Sequence, residues 1–149
     1  MASPFPFTSG QVLTAAQLNS ISEATAFTPS WTNFTPGNAT ESWYYIRVND
    51  FIFVYGQTVL GSTSSMSADP QIACPEGTLT GQNFVSNGIV KFGVSGTHMG
   101  STQKNGNNFL MNVHTAGGTY VGVTGVNATA PGTFTTGSSI RMSAWGFLA

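Results

Sequence analysis

The sequence predicts an all-β protein, an antiparallel β-sandwich or jelly roll, preceded by an extended N-terminal arm and one short α-helix. Three observations lead there. From residue 27 onward, short runs of aromatic and β-branched residues recur at regular spacing between Gly, Pro and Asn. Only 6% of the 149 residues are charged, while 18 Gly, 16 Ser, 20 Thr and 11 Asn supply polarity without ions; an ordinary soluble domain carries about 25% charge. One helical pattern alone is visible, and it is brief. The length suits a single domain that can bury about 70% of its unfolded surface, so no disulfide or metal staple is needed.

The elements follow in order. Ser3-Pro4-Phe5-Pro6-Phe7-Thr8 alternates proline with phenylalanine, which bars helix and withholds donors, so this piece is an extended arm. Its two phenylalanines either lie in a groove on a partner or tuck against their own domain. Thr14-Ala15-Ala16-Gln17 fits a capping box, and Leu13 with Leu18 forms the matching hydrophobic staple. Leu18, Ile21 and Ala24 share one face of a helix over 15–24. A helix this short does not persist alone in water. Its stripe packs on its own domain, or copies of it meet around a symmetry axis.

Phe27-Thr28-Pro29 recurs as Phe34-Thr35-Pro36 around Trp31 and reads as an opening strand broken by turns. Strands over 41–48 and 51–60 flank Asn49-Asp50, which suits a type I′ hairpin turn. That pairing puts Tyr44, Ile46 and Val48 opposite Tyr55, Phe53 and Phe51 on one face. Trp43, Tyr45 and Arg47 then stand opposite Gly56, Val54 and Ile52 on the other. Both faces are apolar, so one covers the core and the second needs another sheet or another subunit. Further strands are expected over 71–74, 84–85, 89–94, 108–115, 120–126 and 139–147, with a tight turn at Gly117-Gly118 and an exposed tip over 103–107.

Charge and cysteine usage narrow the function classes. Four Lys and Arg against five Asp and Glu give a net charge of −1, which excludes an ordinary nucleic-acid surface. Cys74 stands alone, so no internal disulfide forms. The longest apolar run, Phe51-Ile52-Phe53-Val54-Tyr55, is far short of the roughly 20 residues of a membrane helix. The first twenty residues hold no Lys or Arg and no apolar stretch of signal-peptide length. We therefore expect neither membrane insertion nor secretion.

No catalytic set stands out. A glycosidase needs two facing carboxylates; Glu23 falls on the helix, Asp50 in a turn and Asp69 in a loop before Pro70, and Glu41 and Glu76 would meet only by an accident of the fold. Cys74 with His98 or His114 as base would make a nucleophile, against its reading as a small apolar residue closing a strand before Pro75. The histidines lack CxxC or HExxH companions, leaving only one His per chain on a threefold axis as a metal site. Asn33, Asn38 and Asn127 each open a glycosylation triplet, about as many as chance provides. Trp31, Trp43 and Trp145 are either core and interface anchors or platforms for sugars and bases. We expect no cofactor and no enzyme activity.

The stretch Phe7-Thr8-Ser9-Gly10-Gln11-Val12-Leu13-Thr14-Ala15-Ala16-Gln17-Leu18-Asn19 resembles the opening of tailed-bacteriophage fibre and surface-projection proteins, where G-x-x-L-T-A-x-x-L-N recurs. Phe27-Thr28-Pro29-Ser30-Trp31-Thr32 is similar to the strand that opens their β-sandwich domains, and Pro131-Gly132-Thr133-Phe134-Thr135-Thr136-Gly137-Ser138-Ser139-Ile140 to their last hairpin. The resemblance implies a homotrimeric head displayed on a virion and fixed by its N-terminal segment. Residues 1–26 would be the arm and helix and residues 27–149 the head. There are no coiled-coil heptads and no repetitive shaft, which favours a capsid decoration or cement protein, or a short head spike or head fibre, over a long fibre. Pro4, Phe5, Pro6 and Phe7 would then anchor to the lattice of the major capsid protein. Leu13, Leu18 and Ile21, with Trp43, Tyr45, Ile52 and Val54, would form the trimer interface. The alternatives are a minor tail or fibre-tip protein binding a host receptor, among them a surface glycan, and a carbohydrate-binding module.

Overall fold

The computed structural model describes residues 10, 12, 14, 15, 23–81, 87–117 and 120–149. Within 23–81, 87–117 and 120–149 the chain forms strands and turns and no helix. The ten strands are β1 (Thr25–Ala26), β2 (Trp31–Thr35), β3 (Thr40–Val48), β4 (Phe51–Val59), β5 (Ser65–Ala73), β6 (Gly88–Val94), β7 (Gly96–Asn105), β8 (Asn108–Gly117), β9 (Tyr120–Thr124) and β10 (Ser139–Phe147). They make one antiparallel sheet, ordered β1-β3-β4-β10-β6-β7-β8-β5-β2, with β9 added beside β8. The sheet curls into a half-barrel whose concave side is the core. The expected arm, most of the expected helix and the strand over 84–85 lie outside the described residues.

The β3–β4 hairpin holds the expected register, with Trp43 opposite Gly56 and Tyr44 opposite Tyr55. Its turn differs from the expected type I′. Asn49 takes φ 57° but Asp50 does not join it at positive φ, whereas type I′ requires both. Gly56 has a packing reason: a Cβ there would meet the Ser42 carbonyl oxygen and come within 2.7 Å of the Trp43 ring. The indole of Trp43 lies where that side chain would be.

The strand β5 starts earlier than the sequence suggests and runs through Pro70. Proline survives there because the β2–β5 register shifts between Thr32 and Phe34. Asn33 takes φ 63° at that bulge. Its amide donates to the Asp69 carbonyl at 3.1 Å, and Ser67 Oγ donates to the Asn33 carbonyl at 3.2 Å. The strand β7 was not expected, since Gly96–Asn105 is mostly small and polar, with two Gly and no Val, Ile or aromatic ring besides His98. It pairs with β6 and β8 along its length, and its small residues Gly100, Ser101 and Thr102 are buried.

The core gathers Trp43, Ile52, Val54, Ile72, Val90, Phe92, Phe109, Met111, Val113 and Ile140, all within 2% of full burial. Its buried polar groups are paired, as low dielectric demands. Asn87 shows how: Thr102 Oγ1 donates to its side-chain oxygen at 2.9 Å, and its amide nitrogen donates to the Trp145 carbonyl at 2.9 Å. The ladders of β10 and β7 are thereby tied together just ahead of β6.

Candidate interaction surface

Strand alternation gives β3, β4, β10 and β6 a second, convex face. Register arranges it in rows. At the turn end Val48, Phe51 and Phe147 stand side by side, then Ile46, Phe53 and Trp145. The next row is Tyr44, Tyr55, Ser143 and Ile89; the one after is Ser42, Gln57, Arg141, Lys91 and Met99. The face therefore passes from wholly apolar to cationic within four rows.

The aromatic rows are in contact with one another. Phe51 stacks on Trp145 at 6.4 Å and meets Phe147 edge-on at 5.8 Å; Phe53 lies 5.7 Å from Tyr55, and Tyr55 stacks on Tyr44 at 5.7 Å. Tyr44 keeps 37% of its surface in water, Phe147 47% and Ile89 57%. Apolar surface left open on this scale marks an interaction site.

Two shallow grooves cross the cationic end. One, of about 340 Å³, runs between Ser42, Tyr44, Tyr55, Gln57 and Arg141. The other, of about 260 Å³, lies beside Ile89, Lys91, Arg141 and Ser143. Arg141 belongs to both.

A second exposed feature is the β8–β9 hairpin. Among the described residues β9 pairs only with β8, from Tyr120 opposite Gly117 to Thr124 opposite Val113. All five of its residues are exposed, Tyr120 at 82%. A hairpin is present here, but Gly117, expected in its turn, lies in β8 opposite Tyr120, and the connecting residues 118 and 119 lie outside the described ones.

The residues expected at a subunit interface divide. Pro4, Phe5, Pro6, Phe7, Leu13, Leu18 and Ile21 lie outside the described residues. Trp43, Ile52 and Val54 are buried in the core of the single chain, and Tyr45 packs against them. The hairpin face open to a neighbour is consequently the opposite one. Both faces are apolar, and hydrogen-bond demand separates them. Trp43 Nε1 needs an acceptor once buried, and Thr58 Oγ1 supplies it at 2.9 Å on the inner face. Lys91, Arg141, Ile89 and Met99 were missed because only the β10–β6–β7 register brings them together.

The chemically suggestive residues are structurally employed. Glu41 accepts from Trp31 Nε1 at 2.7 Å and Thr58 Oγ1 at 3.1 Å. Glu76 accepts from the Tyr45 hydroxyl at 2.5 Å and Arg47 Nη1 at 2.9 Å. The Tyr45 hydroxyl, with help from Arg47, holds the Glu76 carboxyl below the usual range, against some loss of hydration. Burial pushes the Cys74 thiol up, and the thiol donates to the Glu76 carbonyl at 3.1 Å. A raised thiol is the reverse of what a nucleophile needs. His98 lies on β7 and His114 on β8. No group of three metal-ligating side chains occurs among the described residues. Trp43 is buried, and Trp31 packs on Phe34 at 4.7 Å and Trp43 at 5.7 Å. These two indoles are anchors rather than platforms.

No protein-family model, curated protein or solved structure matches this chain.

Proposed function

We propose that this chain is a non-enzymatic structural protein of a tailed-bacteriophage virion, a homotrimeric capsid decoration protein or short head spike. The observation that carries self-association is the apolar end of the convex face, where Val48, Phe51, Ile46 and Phe53 stand in register and Tyr44, Phe147 and Ile89 keep 37%, 47% and 57% of their surface in water. Packing such faces from neighbouring copies would create between subunits the sheet-on-sheet layering of a β-sandwich. A net charge of −1 offers little repulsion against it. The virion assignment is supported by the phage-like opening motif of residues 7–19.

The mechanism is mass action. A trimer that binds only the assembled lattice stabilises the shell by RT ln(1 + [L]/Kd). Three arms carrying Pro4, Phe5, Pro6 and Phe7 engage together and add avidity that one arm lacks. Light scattering at micromolar concentration tests the assembly: three subunits are expected, and a single-subunit mass overturns it. Deleting residues 1–7 tests the anchor: shell binding is lost while the trimer persists, and unchanged binding overturns the arm's role.

A further inference from the structure

Lys91 and Arg141 stand directly opposite each other on β6 and β10. Like charges in that position repel, and the chain has only four Lys and Arg in all. Among the described residues, which include all five Asp and Glu, the one ion pair is Arg47 with Glu76. Neither Lys91 nor Arg141 has an anionic partner. A sequence so sparing of charge places half of its cations where only an outside anion relieves them.

The neighbourhood specifies the anion further. Tyr44 stacks on Tyr55 at 5.7 Å beside the groove that Arg141 borders, and it keeps 37% of its surface in water. An exposed tyrosine ring receives the C–H face of a pyranose ring, apolar on one side and wet at its rim. Gln57 and Ser42 line the same groove with an amide and a hydroxyl, which suit ring hydroxyls. The guanidinium fork of Arg141 matches a carboxylate in two parallel bonds, with Lys91 as a point charge beside it. The groove is shallow, and a second depression continues from it at Arg141, which leaves room for a chain polymer.

We propose that the groove between Tyr44, Tyr55, Gln57, Arg141 and Lys91 binds a carboxylate-bearing polysaccharide. This site adjoins the rows offered to a second copy, Tyr55 lying 5.7 Å from Phe53, so binding and subunit mass are measured side by side to tell failure of one reading from failure of the other.

Calorimetry on the full chain at neutral pH tests it, with hexagalacturonate as probe and maltohexaose and hexaglutamate as controls. Hexagalacturonate binds, and added salt weakens it; maltohexaose and hexaglutamate bind at least tenfold more weakly. Arg141→Gln and Lys91→Gln each lower the affinity about tenfold or more, the worth of a charged hydrogen bond. Both variants keep the parent's mass by light scattering, which separates this result from any failure of the trimer. Their melting temperature stays equal or rises, because each removes a repulsion. No heat with hexagalacturonate overturns the site, as does undiminished binding by either variant. Equal binding of maltohexaose removes the role of charge, and equal binding of hexaglutamate shows an acidic-peptide surface instead. A lower melting temperature for both variants would show that the cations hold the sheet.

Discussion

Trp31 Nε1 donates to the Glu41 carboxylate at 2.7 Å, and that bond joins β2 to β3, strands that lie near opposite ends of the sheet order. Side chains, not a ladder, link them there. Glu41 also accepts from Thr58, which accepts from Trp43, so one carboxylate gathers two indoles and a hydroxyl. Replacing Glu41 with Ala strands half-buried donors and should cost about 2–3 kcal/mol. Glu41→Gln keeps an acceptor and should cost about 1 kcal/mol. Urea denaturation measures both, and equal losses would mean that hydrogen bonding is not what joins these strands.

The tight pairing of β7 gives a second expectation. A Cβ on Gly100 would run into the Asn112 carbonyl oxygen of β8 and come within 2.9 Å of Val90 Cγ1. Backbone cannot step aside as a flexible side chain does, so Gly100→Ala should destabilise by about 1–3 kcal/mol, the usual cost of overpacking. Gly106→Ala is the contrasting control, since nothing lies within 4 Å there although its φ is 58°. Thermal melts of the two variants separate steric clash from backbone strain.

Acid should weaken the fold through Glu76. Its carboxyl titrates below the ordinary value in the folded chain, chiefly because Tyr45 donates to it. The contribution is complete above the unfolded value of about 4.3 and fades as the pH falls through the lower folded value. Tyr45 acts at the other limb. Burial, and then the neighbouring Glu76, raise its phenol, so its share is complete below about 10 and fades as the pH rises through the folded value. Stability curves for the parent and Glu76→Gln should therefore differ at neutral pH and converge in acid. A constant gap across the acid range would show that this carboxyl does not titrate with folding.

How much of this was legible follows from what each residue type announces. Trp43 to Gly56 reads as a hairpin because aromatic and β-branched residues flank a two-residue turn, and the observed register follows from counting across it. Residues 96–105 announce nothing, because Gly, Ser and Thr earn their place in β7 through the neighbours they let approach. The sheet's curl is equally silent, resting on contacts such as Trp31 with Glu41 that no local pattern encodes. The face that becomes core depended on where Trp43 finds Thr58. The cationic end of the convex face was invisible because Lys91 and Arg141 are far apart in sequence and meet only by register.

The β8–β9 hairpin offers the last test, one that bears on assembly. Among the described residues β9 pairs on one side only, and it carries Tyr120, Val121 and Val123 in the open at 82%, 73% and 55% exposure. Its sequence, Tyr-Val-Gly-Val-Thr, holds none of the charges or prolines with which edge strands avoid joining others. In a dilute single chain, amides of residues 120–124 should exchange far faster than those of β10, which is paired along both edges by β4 and β6. If copies associate through this hairpin, exchange in β9 slows as the protein concentration rises while β10 stays unchanged. Val121→Lys should abolish that concentration dependence without lowering the melting temperature, since Val121 is 73% exposed. Exchange in β9 that is slow even at the lowest concentration would mean that the hairpin is already covered within one chain, and its part in assembly would be refuted.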